Sequence, residues 1–289
     1  MKLNFFKNNK SDIGRAFSSI DPVYECLHDQ PRTLAFESAI KKVVDSNKNV
    51  LDLGTGSGVM ALFSARSGAK EVVAVEFDPY IASIAKKNIE DNNYNNIISV
   101  LEEDARELSI PNKKFDVVVM EMLTTGMVDE YQVQASNNLH KKGLVSKETV
   151  FLPHTQDTYL QLLNTDFNVY NFNFKFVRHV WSNQRDNEKL DTLSEKAVLS
   201  SISFDTPNIP ELFKAKIEFT ANKTGVVNSV LLTSRTHLTK TDFIDDTISL
   251  NAPVVIPVEE FSVEIGQKVS FSVEYTFGEG YEHFKINRL

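Results

Sequence analysis

The chain has one cysteine, Cys26, among 289 residues. A lone thiol closes no internal disulfide and supplies no cysteine cage, so neither a disulfide scaffold nor a metal site is expected. Cys26 reads as a small buried apolar side chain. Long apolar runs are also missing: no stretch reaches the roughly eighteen residues of a membrane-spanning helix. The start, Met1-Lys2-Leu3-Asn4-Phe5-Phe6-Lys7, has too little apolar sequence for a secretory signal, and a cytoplasmic protein with no membrane partner is expected. Positive charge is in deficit, with 31 Lys and Arg against 39 Asp and Glu and a net charge of −8. No basic cluster stands ready to neutralise phosphates, which argues against nucleic acid and favours a cationic substrate.

What is present is 42% apolar and 24% charged sequence, enough to bury a core and best divided into two units behind a leading segment. The expected division is an N-terminal helical segment over 1–45, a cofactor-binding α/β domain over 46–150 and a β-barrel-like substrate domain over 151–289. In the α/β part strands at 49–53, 71–76, 97–101 and 115–120 alternate with helices at 59–67 and 79–92, preceded by a helix at 34–44 that Pro31-Arg32-Thr33 opens. That rhythm predicts a Rossmann-like parallel sheet with helices on both faces, whose ligands sit at the carboxyl ends of the strands. Asp52, Glu76, Asp104 and Glu121 fall at or just past such ends and are expected to line one crevice.

The run Val50-Leu51-Asp52-Leu53-Gly54-Thr55-Gly56-Ser57-Gly58 carries an apolar strand into glycines at alternate positions and then into a helix. Glycine there admits positive φ and lets a nucleotide-like ligand approach the backbone. The spacing is not that of the dinucleotide fingerprint G-x-G-x-x-G, so NAD is the weaker reading. Glu76 ends the next strand about twenty residues on, where a carboxylate holds a ribose diol. Together these point to S-adenosylmethionine (SAM), with Gly54, Gly56, Gly58 and Glu76 as contacts and Asp104 with Ala105 at the adenine; a ligand-free turn is the plain alternative.

Past Pro153 the pattern changes to strands at 149–163, 197–204, 213–220, 226–236, 254–257, 269–277 and 284–289 with no long helix between them. This reads as an antiparallel sandwich or barrel, with hairpin connections at 222–225 and 278–280. The polar stretch 184–188 reads as a solvated loop.

The order of motifs resembles that of the protein arginine methyltransferases, from about Tyr24 to the C-terminus. Asp29-Gln30-Pro31-Arg32-Thr33-Leu34-Ala35-Phe36 is similar to the family's D-x-x-R-T segment, whose arginine pairs with the SAM carboxylate. Val50 to Gly58 looks like its cofactor loop, Glu121 and Glu130 like its double-glutamate hairpin, and Thr236-His237-Leu238 like its T-H-W loop. Leu238 replaces the tryptophan, Met122-Leu123-Thr124-Thr125 replaces W-M-G-Y, and no Y-F-x-x-Y lid helix is visible. The resemblance implies Asp29 and His237 as a carboxylate-imidazole pair beside the reacting group. It also implies a homodimer made by an inserted arm, for which 164–196, with Phe172, Phe174, Phe176 and Trp181, is the candidate.

Arginine methylation fits the residues chemically. A guanidinium is a poor nucleophile because its charge is spread over three nitrogens. Two carboxylates, Glu121 and Glu130, would hold it by charge-assisted hydrogen bonds and concentrate charge on the bound nitrogens. The expected function is therefore SAM-dependent N-methylation of an arginine guanidinium in a peptide, protein or small molecule. A different small-molecule acceptor, or a SAM-binding scaffold without turnover, stands as the alternative. Residue by residue the plain readings are a solvated helix position for Glu130, a loop histidine for His237, a surface pair for Arg32 and a helix start for Asp78-Pro79.

Overall fold

The computed structural model describes residues 18–180, 190–248 and 250–289. Five short strands form a parallel sheet: β1 Asn49–Leu53, β2 Glu71–Glu76, β3 Ile98–Glu102, β4 Val117–Met120 and β5 Val150–Leu152, in the order β3-β2-β1-β4-β5. Their apolar sequences are buried on both faces, because side chains alternate across the sheet. Val50, Val72, Ala74, Val117 and Val119 face a core with Phe36, Ile40 and Ala61. Leu51, Leu53, Val73, Val118 and Met120 face the other core, which runs on into the second unit through Leu160, Val230, Leu232 and Phe271.

Among the described residues five helices flank this sheet: α1 Ile20–His28, α2 Gln30–Val43, α3 Val59–Arg66, α4 Pro79–Asp91 and α5 Gln132–Lys142. Helix α4 starts where Asp78 accepts from the Tyr80 and Ile81 amides at 2.9 and 3.1 Å and Pro79 takes the first turn, where its missing N–H costs nothing. Helix α2 opens at Gln30, four residues before the predicted start, since Pro31 fits its first turn and Asp29 caps it. No helix was expected over 132–142, yet parallel β4 and β5 need a crossover and α5 supplies it.

The run 149–163, read as one strand, is two. Pro153 has no N–H to donate to a ladder, and the chain leaves the parallel sheet there. Strand β6 Thr155–Asn164 then begins the antiparallel part. Two small hairpin strands, β7 Asn168–Val169 and β8 Phe172–Asn173, project from it, followed by β9 Arg178–His179, β10 Asp191–Thr192 and β11 Ala197–Ser203. The remaining strands are β12 Leu212–Thr220, β13 Gly225–His237, β14 Phe243–Ile244, β15 Val254–Val263, β16 Lys268–Thr276 and β17 Lys285–Arg288. One sheet orders β10-β6-β13-β15-β9, with β11 on β6 and β14 on β13; the other orders β12-β16-β17. Residues 222–225 are thus a corner between sheets and not a hairpin, whereas 278–280 lies between the paired strands β16 and β17. Trp181 and the loop 184–188 lie outside the described residues. Among the described residues no helix is long and apolar enough to cross a membrane.

Candidate active site

A cleft opens at the carboxyl ends of β1, β2 and β4. Its floor is the glycine loop, with φ of 67° at Gly54, 53° at Gly56 and 87° at Gly58, all in the region that disfavours side chains. A Cβ on Gly54 would lie 2.8 Å from Met122 Cγ, so glycine is also what lets the strand-β4 loop close over this turn. Beneath the floor Thr55 Oγ1 donates to the buried Asp52 Oδ2 at 2.6 Å. Burial pushes the Asp52 carboxyl up to about 7. Asp52 and Gly58 support the loop from behind; Gly54 and Gly56 line the cleft.

Glu76 enters the cleft from the end of β2 and is oriented by backbone amides, Gly56 N at 3.0 Å and Asp78 N at 3.0 Å. Its third donor is the Ser18 hydroxyl at 2.9 Å, a position that a ligand hydroxyl can take over. Asp104 and Ala105 line the next wall. Asp104 is held by Arg106, whose Nη2 lies 2.5 Å from Oδ2 and whose guanidinium lies 4.0 Å from the centre of the Tyr131 ring. The adenine role read for Asp104 would therefore be shared with this pair.

Glu121 follows β4 directly. Arg32 Nη1 lies 2.9 Å from Glu121 Oε1, an ion pair in distance though not aligned as a hydrogen bond, and Arg32 Nη2 donates to the Cys26 carbonyl at 2.5 Å. Arg32 itself stands behind the cleft wall, its Nε buried and unpartnered. Glu130 lines the same cleft as Glu121. Burial first, then the charge of Glu121, pushes its carboxyl up to about 8. The Cys26 thiol also lines the cleft, and burial pushes it up to about 11, which keeps it protonated and unreactive.

The second unit builds the loop that carries Glu130. Gln156 Nε2 donates to Thr124 O at 2.9 Å, Ser234 Oγ accepts from Gly126 N at 2.9 Å, and Tyr275 OH donates to Gly126 O at 3.1 Å. The loop after β16 completes the grip through Gly278 N to Met127 O at 3.1 Å and Gly280 N to Val128 O at 2.9 Å. A Cβ on Gly278, whose φ is 78°, would lie 2.7 Å from the Tyr131 ring. Backbone groups of Thr124, Gly126, Met127 and Val128 thus find partners in the second unit, which fixes the backbone that leads to Glu130.

The pairing of Asp29 with His237 is not formed. His237 closes the thirteen-residue strand β13 and is carried to β6, where its Nε2 meets Asp157 Oδ2 at 2.8 Å. Asp29 is buried, capping α2 and accepting from Ile248 N at 3.3 Å. Neither residue lines the cleft; the segment of that side which does is Leu250, on the loop between β14 and β15. Other residues of the cleft escaped the sequence reading. Helix α1 covers it with Val23, Cys26 and Leu27, at the i, i+3, i+4 spacing that marks one helix face. Asp129, Tyr131 and Arg106 line it too, each within two residues of a predicted site position.

The family Ribosomal protein L11 methyltransferase (PrmA) matches residues 32–161. The chain is 31% identical over 264 residues to "Uncharacterized protein MJ1452" of Methanocaldococcus jannaschii, covering 91% of this chain and 95% of that one. It is 28% identical over 226 residues to Protein arginine N-methyltransferase 1 of Saccharomyces cerevisiae, covering 72% of this chain and 64% of the yeast protein. Of the Dictyostelium discoideum Protein arginine N-methyltransferase 1 it spans about half, 49%, at 31% identity over 54% of this chain. The fold matches the Trypanosoma brucei PRMT1 enzyme-prozyme heterotetrameric complex with AdoHcy at a TM-score of 0.76 and 16% identity, over 95% of this chain and 98% of that one. It matches Arabidopsis thaliana protein arginine methyltransferase 10 at 0.75 and 17% identity, over 90% and 89%.

Proposed function

Because this chain belongs to the protein arginine methyltransferase-like class I SAM-dependent methyltransferases, we propose that it methylates a guanidinium nitrogen. The chain is a SAM-dependent methyltransferase, and the finer reading concerns the acceptor. The observation that carries it is that Glu121 and Glu130 line the same cleft, where burial and the charge of Glu121 push the Glu130 carboxyl up to about 8. A bound cation relieves both effects at once.

The residues of the cleft suit SAM. Positive-φ glycines leave room on the floor, Glu76 is preset by two amides, and the buried, unpartnered Arg32 Nε offers an anion partner near the wall. In this reading Glu76 holds the ribose hydroxyls in place of Ser18, Asp104 and Ala105 meet the adenine, and Arg32 holds the cofactor carboxylate while steadying Glu121. SAM supplies a methyl group made electrophilic by a sulfonium. Glu121 and Glu130 hold two guanidinium nitrogens by charge-assisted hydrogen bonds, which leaves the third nitrogen its lone pair and fixes its direction. That nitrogen loses one proton on methylation, and with His237 turned to Asp157 the acceptors at hand are the cleft carboxylates and water.

We further propose a homodimer seated through the hairpin β7–β8 and the chain after it, where Val169, Tyr170, Phe172, Phe174 and Phe176 are exposed at 46–87%. The acceptor reading is tested by incubating the protein with methyl-labelled SAM and matched arginine and lysine peptides, free arginine and simple alkylguanidines. Label on guanidines alone supports it; label on lysine peptides or on none of these acceptors contradicts it.

A further inference from the structure

We propose that Leu250, at the tip of the loop between β14 and β15, is a residue that selects the acceptor. It seats the aliphatic stem next to the guanidinium, which favours acceptors with a run of methylenes there and disfavours those with an anion close by. The inference rests on the guanidinium reading and narrows it to a substrate class.

The segment Thr236-His237-Leu238 does not reach the cleft. Strand β13 runs on through His237, and Leu238 is buried in the core that holds Phe36 and Ile40. The chain returns to the cleft farther on. Lys42 Nζ lies 2.6 Å from Asp242 Oδ1, and Ile244 pairs with Thr236 and packs on the same core as Leu238. Thr247 N then donates to Asn251 O at 3.0 Å, which closes a turn around Leu250.

Both sides of this turn are anchored to residues around Glu121. Ile248 N donates to Asp29 Oδ2 at 3.3 Å, on the turn that leads to the Arg32 paired with Glu121. Ala252 O accepts from Thr125 Oγ1 at 2.5 Å, on the loop that follows Glu121. Neither anchor belongs to the walls at Glu76 and Asp104 that suit the cofactor, so Leu250 is held at the acceptor end.

Among the described residues Leu250 is the one side chain of the second unit that lines the cleft. It is half-buried and, among those residues, is packed into none of the apolar clusters of the fold. Its methyl groups therefore add little to the core and are placed to meet a ligand. The guanidinium nitrogen that takes the methyl group faces the cofactor, so the nitrogen that bears the stem faces away from it. Methylenes leaving on that side are covered by Leu250, and each is worth about three- to fourfold in binding when fully buried. A carboxylate on a short stem would instead approach Glu121 and Glu130. Arg106, among the described residues the one cation of the lining, is committed to Asp104 and the Tyr131 ring.

The test measures kcat/KM for methyl-, ethyl-, propyl- and butylguanidine and for 3-guanidinopropionate. An arginine peptide and the same peptide with norarginine, one methylene shorter, cover a peptide acceptor. In the wild-type protein kcat/KM is expected to rise about threefold per methylene, and 3-guanidinopropionate to fall at least about tenfold below propylguanidine. Leu250→Ala is expected to cut the dependence on chain length to less than about 1.5-fold per methylene, and Leu250→Val to give an intermediate slope. SAM affinity by calorimetry checks that both variants are folded. A loosened fold would lower the whole series in parallel and leave its slope intact, so the slope reports contact with the stem. A flat series on whichever guanidines are methylated, a slope that both substitutions leave unchanged, or 3-guanidinopropionate turned over as well as propylguanidine overturns the assignment and leaves the guanidinium reading standing. No methylation of any guanidine overturns both.

Discussion

Glu121 and Glu130 occupy different electrostatic positions although both are carboxylates in one cleft. Arg32 lies 2.9 Å from Glu121, whereas among the described residues Glu130 has no ion-pair partner, and burial with the charge of Glu121 pushes its carboxyl up to about 8. Glu130 must be ionised to clamp a guanidinium, and a guanidinium stays charged across the accessible range. Hence kcat/KM is expected to climb about tenfold per pH unit below about 8 and to level above it; a flat profile from pH 6 to 9 would remove Glu130 from binding. Glu121→Gln and Glu130→Gln preserve size and remove charge. Each should lower turnover at least about a hundredfold, near 3 kcal/mol, with SAM affinity changed by no more than a few-fold in calorimetry. His237→Ala is expected to act on stability through its bond to Asp157 and to leave turnover within about threefold. Glu76 and Glu121 were legible because each ends or directly follows an apolar strand, and Glu130 from its spacing to Glu121 in the resemblance. His237 misled because a short motif says nothing of how far its strand runs: β13 continues through it and pairs it with β6.

At the scale of elements, the loop from Glu121 to Tyr131 depends on the turn between β16 and β17 for its shape. Gly278→Ala places a Cβ against the Tyr131 ring in a left-handed backbone, so it should destabilise the fold by about 1–3 kcal/mol and reduce kcat more than it weakens SAM. Equal stability and activity to wild type would show that the grip is not needed. The parallel strands and the helices after them were legible because alternation and glycine placement are local signals. Helix α5 was hidden because its buried side is itself half polar, Gln132, Ser136 and Asn138 being buried along with Val133, Ala135 and Leu139. Helix α1 falls inside the helical segment expected over 1–45, but its bounds and its role over the cleft were not legible, since none of its residues is fully buried and its cleft face is short. The corner at 222–225 joins strands of different sheets, a property of tertiary pairing that turn chemistry alone does not encode.

For the whole molecule, Asp52, Asp129 and Glu130 have folded pKa values of about 7, 7 and 8, well above ordinary carboxyls. Such groups keep their protons longer in the folded chain than in the unfolded one, so the free protein should lose thermal stability as pH rises from about 4.5 to about 8. A saturating cationic acceptor should flatten that decline, since it favours the ionised forms; a melting temperature that rises over the same window would contradict the account. The exposed hairpin aromatics lead to a dimer by light scattering at micromolar concentration, and Phe172→Asp with Phe174→Asp should yield monomer. The division of labour is the central claim: one unit holds the cofactor, the other fixes the loop that holds the cation. Its most direct measurement is tandem mass spectrometry of a guanidine-bearing acceptor after incubation with methyl-labelled SAM and either the wild-type protein or Glu130→Gln. The account predicts label on a guanidinium nitrogen with the wild-type protein and at least about a hundredfold less with the variant; label on any other atom, or equal label from both proteins, would contradict it.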